Sequence, residues 1–212
     1  MKIIDLTLPI KTKMEVYPND PEVVIADASE EKQGKCHVSR ICMGSHTGTH
    51  IDMPYHFIRE GKRIEQFPLE RCMGRGIVLH KPAGPGEIIS IREEDLKNVS
   101  SGMVLLIHTG WQVMRGTPDY FTNIPVLSME AVSMAVEKGV KAFGFDTPSV
   151  DNKKTNCQIH EKILGYGLAI VESLVHLEQL KEPFFFCAAP LLIADEAGGD
   201  GSPVRAFAML QE

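Results

Sequence analysis

The chain has 212 residues, with 22 Lys or Arg against 28 Asp or Glu and a formal net charge of −6. That length suits one domain with a sizeable core and is short for two. The acidic balance, with no basic run longer than a pair, argues against a nucleic-acid partner.

The first apolar stretch, in MKIIDLTLPIKTK, is interrupted by Asp5 and is too short for a signal-peptide core. No window approaches the roughly eighteen apolar residues of a membrane span, so no membrane partner is expected. The cysteines, Cys36, Cys42, Cys72, Cys157 and Cys187, are odd in number and contain no Cys-x-x-Cys pair, which fits a reduced, cytoplasmic setting.

In chain order, apolar runs bounded by Gly, Pro, Asp or Ser predict strands at 3–6, 77–79, 103–107, 141–145, 168–171, 184–186 and 204–209. Several lack alternation, which predicts burial on both faces. Ser90 with Glu93 predicts a capping box before residues 95–97. Ser128 opens a helix whose stripe is Met129, Val132 and Val136 and which Gly139 closes, and a third helix is expected over 158–164, ended by Gly165. The strand–helix alternation after residue 100 predicts an α/β layer with a more β-rich first half packed against it.

Between the first two strands lies SHTGTHIDMPYH, from Ser45 to His56. Gly48, Thr49 and Pro54 disfavour a helix, so an extended ribbon is expected, with side chains alternating between faces. His46, His50, Asp52 and His56 then share one face. The other carries Thr47, Thr49, Ile51, Met53 and Tyr55, a set suited to packing on a core. Imidazoles and a carboxylate on one rigid element suit zinc, manganese or iron and point to metal-activated water.

One strand cannot surround an ion, so further ligands must come from elsewhere. Glu172 follows the buried-looking run LAIV, where a carboxylate is costly unless paired or metal-bound. His160, at a helix start, completes a plausible second cluster. Asp146 after KAFGF has two readings, a site residue or a cap for the turn at Thr147–Pro148. His108 is either a core histidine or a pocket residue, and Cys157 either a soft ligand or a buried thiol. His37, His80 and His176 have no partner in the sequence.

The run His46-Thr47-Gly48-Thr49-His50-Ile51-Asp52-Met53-Pro54-Tyr55-His56 resembles, without a gap, the His-x-Gly-Thr-His-x-Asp-x-Pro-x-His signature of the metal-dependent cyclase family, which includes bacterial kynurenine formamidases and isatin hydrolases. GFDTPSVD at 144–151, the interval from His160 to Glu172 and the closing PLLIADEAGGDGSPVRAFA are similar to family blocks as well. The resemblance implies a single α/β domain over 1–212 of the swivelling β/β/α type, a mixed sheet core with a few helices, assembled as a homodimer or homotetramer.

It also implies one or two Zn2+ or Mn2+ ions per subunit. His46 and His50 would bind one ion and His160 a second, with Asp52 and Glu172 between them and His56 as proton shuttle. Two positions depart from the formamidase pattern: Tyr17 stands where Trp precedes the Pro, and Ser173 replaces the Asn after the glutamate. The expected reaction is hydrolysis of a small aromatic amide such as N-formylkynurenine, with Tyr17 stacking on the substrate and Trp111 and Phe57 as further candidates. The alternatives are ring opening of a cyclic amide such as isatin, a lyase or dehydratase, and a metal-binding paralogue without hydrolytic activity.

Overall fold

All seven predicted strands form, because their β-branched and aromatic residues find partners on both sides. The computed structural model describes residues 1–29 and 36–210. Its strands are β1 (Lys2–Asp5), β2 (Val24–Asp27), β3 (Ser39–Cys42), β4 (His50–Asp52), β5 (Met73–His80), β6 (Ile88–Ile89), β7 (Val104–His108), β8 (Val126–Leu127), β9 (Ala142–Phe145), β10 (Ala169–Glu172), β11 (Phe184–Cys187), β12 (Gly201–Pro203) and β13 (Phe207–Leu210). The α-helices are α1 (Met129–Glu137) and α2 (Gln158–Gly165).

Nine strands make one mixed sheet in the order β1-β13-β11-β5-β7-β9-β10-β4-β12. Its centre, β5-β7-β9-β10, is parallel, and antiparallel strands flank it. The sheet curls until its ends meet: beyond β1, Leu8 N donates to Thr49 Oγ1 just before β4, and Val175 N donates to the Leu6 carbonyl. The β2–β3 and β6–β8 pairs lie apart from it.

The missing alternation has the expected cause. On β7, Val104 and Leu106 face a core inside the curl, with Ile4, Ile51, Phe184 and Phe186. Leu105 and Ile107 face a second core on the outer side, where α1 and α2 pack through Val132, Ala135, Ile159 and Ile163. Val78, Ala169 and Val171 belong to the inner core, while Ile77, Phe143 and Ile170 belong to the outer. The fold is therefore a single α/β domain built on a curled mixed sheet.

Three local expectations need correction. The ribbon at 45–56 is not one strand: only His50–Asp52 pairs, a turn with Gly48 at φ +63 precedes it, and a 3-10 turn at Pro54–His56 follows. Gly48 takes a backbone conformation that a side chain would strain, and Pro54 starts a turn because its fixed φ and missing N–H suit that position. Ser90 does not cap a helix. Asp95 takes the Arg92 N–H at 2.8 Å and Lys81 Nζ at 2.6 Å, so the turn starts later and closes as a four-residue 3-10 segment, Glu93–Leu96. The last strand starts at Phe207 because Val204 pairs elsewhere, in a bridge with Pro190 and through its N–H to the Thr49 carbonyl.

Ser128 does cap α1, its Oγ accepting from Ala131 N at 3.1 Å. All five cysteines are free thiols. No helix among the described residues is long and apolar enough to cross a membrane.

Candidate metal centre

Strand register builds the site. Antiparallel pairing of β10 with β4 sets Glu172 opposite His50 and Ile170 opposite Asp52. Residues opposite one another share a face, as do residues two apart, so His50, Asp52 and Glu172 project together towards the outer core. Helix α2 covers that face and brings in His160, which is buried beside Ile159, Ile163 and Leu164. The turn before β4 adds His46 and the 3-10 turn after it adds His56, both half-buried.

The donor atoms converge. His50 Nε2 lies 3.3 Å from Asp52 Oδ1 and 3.4 Å from Glu172 Oε2. His160 Nε2 lies 3.3 Å from Glu172 Oε1 and 3.7 Å from Asp52 Oδ2, and His46 Nδ1 is 2.8 Å from Asp52 Oδ1. Two sets, His50–Asp52–Glu172 and His46–Asp52–His56, each hold ligand atoms within 4.8 Å of one another.

The remaining ring nitrogens of three histidines are anchored. His50 Nδ1 donates to the Gly48 carbonyl at 2.8 Å, and His160 Nδ1 to Asp151 Oδ2 at 2.7 Å. His46 Nε2 donates to Asp200 Oδ2 at 2.8 Å, an oxygen that also takes the Ser45 hydroxyl proton. Asp151 additionally accepts the backbone N–H groups of Ile159 and His160, so it caps α2 while it orients the histidine. Anchoring one nitrogen fixes the tautomer and aims the other, the usual surrounding of a metal-binding imidazole.

Charge explains why this cluster wants a cation. Burial opposes a charge on His46, yet Asp52 and the hydrogen bonds to Asp200 and Asp52 outweigh it and raise the pKa to about 9. His160 is likewise disfavoured by burial and raised to about 10 by Asp151 and Glu172, and His50 is raised well above the ordinary value. Burial pushes the Asp52 carboxyl up, but His46 and His50 hold it well below its usual range. Asp52 Oδ2, on a fully buried residue, has no hydrogen-bond partner among the described residues. An unsatisfied buried carboxylate oxygen is costly, and mixed nitrogen and oxygen donors at this spacing fit a divalent ion.

His56 differs. Its ring stacks on His46 with centroids 3.9 Å apart and meets Phe57 edge-on at 4.5 Å. Burial, helped by the neighbouring His46 and His160 and opposed by Asp52, lowers its pKa to about 4, so it is neutral at pH 7. Above the cluster opens a cavity of about 390 Å³, walled by Tyr17, Asp20, Phe57, Pro148 and the 149–157 loop. That is within the range of pockets for small molecules.

The Cyclase family model matches residues 4–152, well over half of the chain. The chain belongs to the Cyclase family. Within it, the chain is 30% identical over 208 residues to a kynurenine formamidase of Bacillus mycoides, covering 96% of this chain and 95% of that one. It is 33% identical over 210 residues to the kynurenine formamidase of Geobacillus thermodenitrificans, at the same coverage. In fold it is similar to isatin hydrolase A from Labrenzia aggregata, with a TM-score of 0.85 and 24% identity over 100% of this chain and 94% of that one. An isatin hydrolase bound to the product analogue thioisatinate superposes with a TM-score of 0.87 at 19% identity, covering 100% of this chain and 93% of that one.

In this Cyclase-family chain His46, His50, Asp52, His56, His160 and Glu172 all come together, and Tyr17 lines the cavity edge-on to Phe121 at 5.8 Å. Phe57 also lines it, stacked on the His160 ring at 4.6 Å. Trp111 does not: it is buried, and its indole N–H donates to the Tyr120 carbonyl. Asp146 is structural, accepting from Thr109 N, Thr109 Oγ1 and Gly110 N. His108 pairs with His80 across β5 and β7, and Cys157 lines the cavity without joining either donor set.

Asp151 and Asp200 are the residues sequence reasoning missed. Asp151 sits in the GFDTPSVD block and Asp200 in the closing block, but nothing local marks their histidine partners.

The raised imidazoles give a pH signature to protein stripped with a chelator. A histidine with a folded pKa above its unfolded 6.5 stabilises fully below 6.5 and ceases to do so as pH rises through the folded value. Urea unfolding of stripped protein should therefore show stability falling between pH 6.5 and about 9 to 10, by on the order of 3 kcal/mol for His46 alone. A flat profile over that window would contradict the charged cluster.

Proposed function

We propose that this chain, as one domain over 1–212, is a metal-dependent hydrolase that cleaves the amide C–N bond of an aryl formamide, converting N-formylkynurenine to kynurenine and formate. One observation carries the reading. A fully buried carboxylate, one oxygen of which has no hydrogen-bond partner among the described residues, lies among three oriented imidazoles and Glu172 beneath an aromatic-walled cavity. The kynurenine formamidases that it matches along nearly their whole length support the same choice.

In this reading His46, His50, His160, Asp52 and Glu172 would hold one or two Zn2+ or Mn2+ ions, His46 and His50 serving one and His160 a second. The chemistry supplied there by a divalent ion would be Lewis acidity at the carbonyl and a water whose pKa is lowered towards about 7. Tyr17 and Phe57 flank the aromatic ring of the substrate. Neutral His56, with no side-chain hydrogen bond among the described residues, takes the proton of the attacking water on a ring nitrogen and returns it to the amide nitrogen as the aniline departs. The protein is assigned to the cytoplasm, as a homodimer or homotetramer.

The neighbour of His46 matters too. A Cβ on Gly201 would fall 2.6 Å from His46 Cε1 and 3.0 Å from the Ile51 carbonyl, so only glycine leaves that ring in place. Gly201→Ala should weaken metal binding at least about tenfold, as expected for disturbing a ligand's support, while circular dichroism stays native. Unchanged affinity would show that His46 does not hold the ion.

The deciding assay sets N-formylkynurenine beside isatin with metal-reconstituted protein. Turnover of N-formylkynurenine is expected. Turnover of isatin alone would move the reaction to cyclic amides, and stoichiometric metal with no hydrolysis of any amide, ester or lactone would leave a binding protein.

A further inference from the structure

Two charges in the cavity wall are not committed to the metal cluster. Asp20 lies on the 17–20 turn, half-buried, and faces the same cavity as His46 and His50. It forms no ion pair among the described residues, and burial raises its carboxyl above the usual range despite the two nearby imidazoles. Lys153 lies exposed on the loop between β9 and α2, which also lines the cavity, and it too has no ion pair among the described residues. Its neighbour Lys154 is occupied, donating to the Gly86 carbonyl at 2.8 Å.

Most histidines and acids of that cavity are held by partners, His56 being packed through its ring alone. His46, His50, His160, Asp151 and Glu172 each have hydrogen-bonded or ion-paired partners inside the cluster or behind it. A carboxylate and an ammonium without ion pairs among the described residues thus line the same cavity as the reactive centre. A neutral amide such as isatin would leave half-buried Asp20 without a partner when it excluded water and would give exposed Lys153 nothing to bind. A substrate carrying its own ammonium and carboxylate would satisfy both with charge-assisted hydrogen bonds.

We infer that Asp20 and Lys153 determine specificity by reading the α-amino-acid group of the substrate, Asp20 accepting from its ammonium and Lys153 donating to its carboxylate. This rests on the amide-hydrolase reading of the site and narrows it to aryl amides that bear a zwitterionic side chain. The cavity also explains the direction of the selection: Tyr17 and Phe57 supply the apolar walls that any aryl amide would use, so discrimination falls to the two charges.

The test compares wild type, Asp20→Asn and Lys153→Met, each reconstituted with zinc or manganese, on N-formylkynurenine and on formanilide, a neutral aryl formamide. Each substitution should lower the ratio of kcat/KM for N-formylkynurenine over formanilide about tenfold or more, as loss of a charged hydrogen bond implies, mainly through KM. Calorimetry of product binding reads recognition without turnover: kynurenine should bind each variant about tenfold more weakly, relative to 2-aminoacetophenone. An unchanged substrate ratio or unchanged relative product affinity in both variants would overturn the assignment. If wild type hydrolysed neither substrate, the hydrolase reading would fail, and product binding would still decide whether these residues read the zwitterion.

Discussion

His56→Ala keeps its full complement of metal and loses turnover, with kcat falling about 10²- to 10⁴-fold, the range typical for removal of a general acid–base group. The geometry makes this a sharp test, because a His56 nitrogen lies within 4.8 Å of ligand atoms of His46 and Asp52 and so qualifies as a ligand by distance alone. Two features separate it from the others. Its ring nitrogens are not anchored by a carbonyl or carboxylate of any described residue, whereas those of His46, His50 and His160 are. Its pKa moves down, to about 4, whereas theirs move up. A neutral imidazole stacked at 3.9 Å on His46 is placed to accept a proton without competing for the ion. Steady-state kinetics on N-formylkynurenine, with metal content measured on the same samples, separates the roles. Metal lost together with activity would make His56 a ligand.

Asp52→Asn has the second large effect and acts through charge, since the side chain keeps nearly its shape. Asp52 is fully buried, lies against His46, His50 and His160, and has one oxygen without a hydrogen bond among the described residues. The amide cannot offer that oxygen as an anion, so bound metal should fall below about a tenth of wild type and activity at least about a hundredfold, as expected when a ligand is lost. The same substitution removes the main source of positive-charge stabilisation at His46 and His50. Their pKa values should fall, because burial is then opposed by fewer negative charges, and the decline in stability of stripped protein above neutral pH should flatten. Nuclear magnetic resonance titration of the histidine ring protons reads this directly. Full metal occupancy in the variant would remove Asp52 from the centre.

Which parts of this were legible beforehand follows from what is local. The spacing of His46, His50, Asp52 and His56 announces the cluster, and Glu172 stands out as an acid at the end of a run buried on both faces. The expectation of one continuous ribbon went too far, because Gly48 and Pro54 turn the chain on either side of His50–Asp52. Convergence survives because those turns swing His46 and His56 back over the strand. Strands β6, β8 and β12 carry only two or three residues, and Gly201-Ser202-Pro203 has no strand propensity; it pairs because β4 offers it an edge. Asp200 reaches His46 across 154 positions, a link made by the curl of the sheet and by no local pattern.

The central claim is that the imidazoles and carboxylates around Asp52 Oδ2 hold a divalent cation. Anomalous diffraction from crystals grown with zinc, recorded on both sides of the zinc absorption edge, tests it most directly. The account predicts a peak bounded by Asp52, Glu172 and at least two of His46, His50 and His160, with His56 outside bonding distance. A zinc peak only elsewhere on the molecule, with Asp52 still unpartnered, would contradict it.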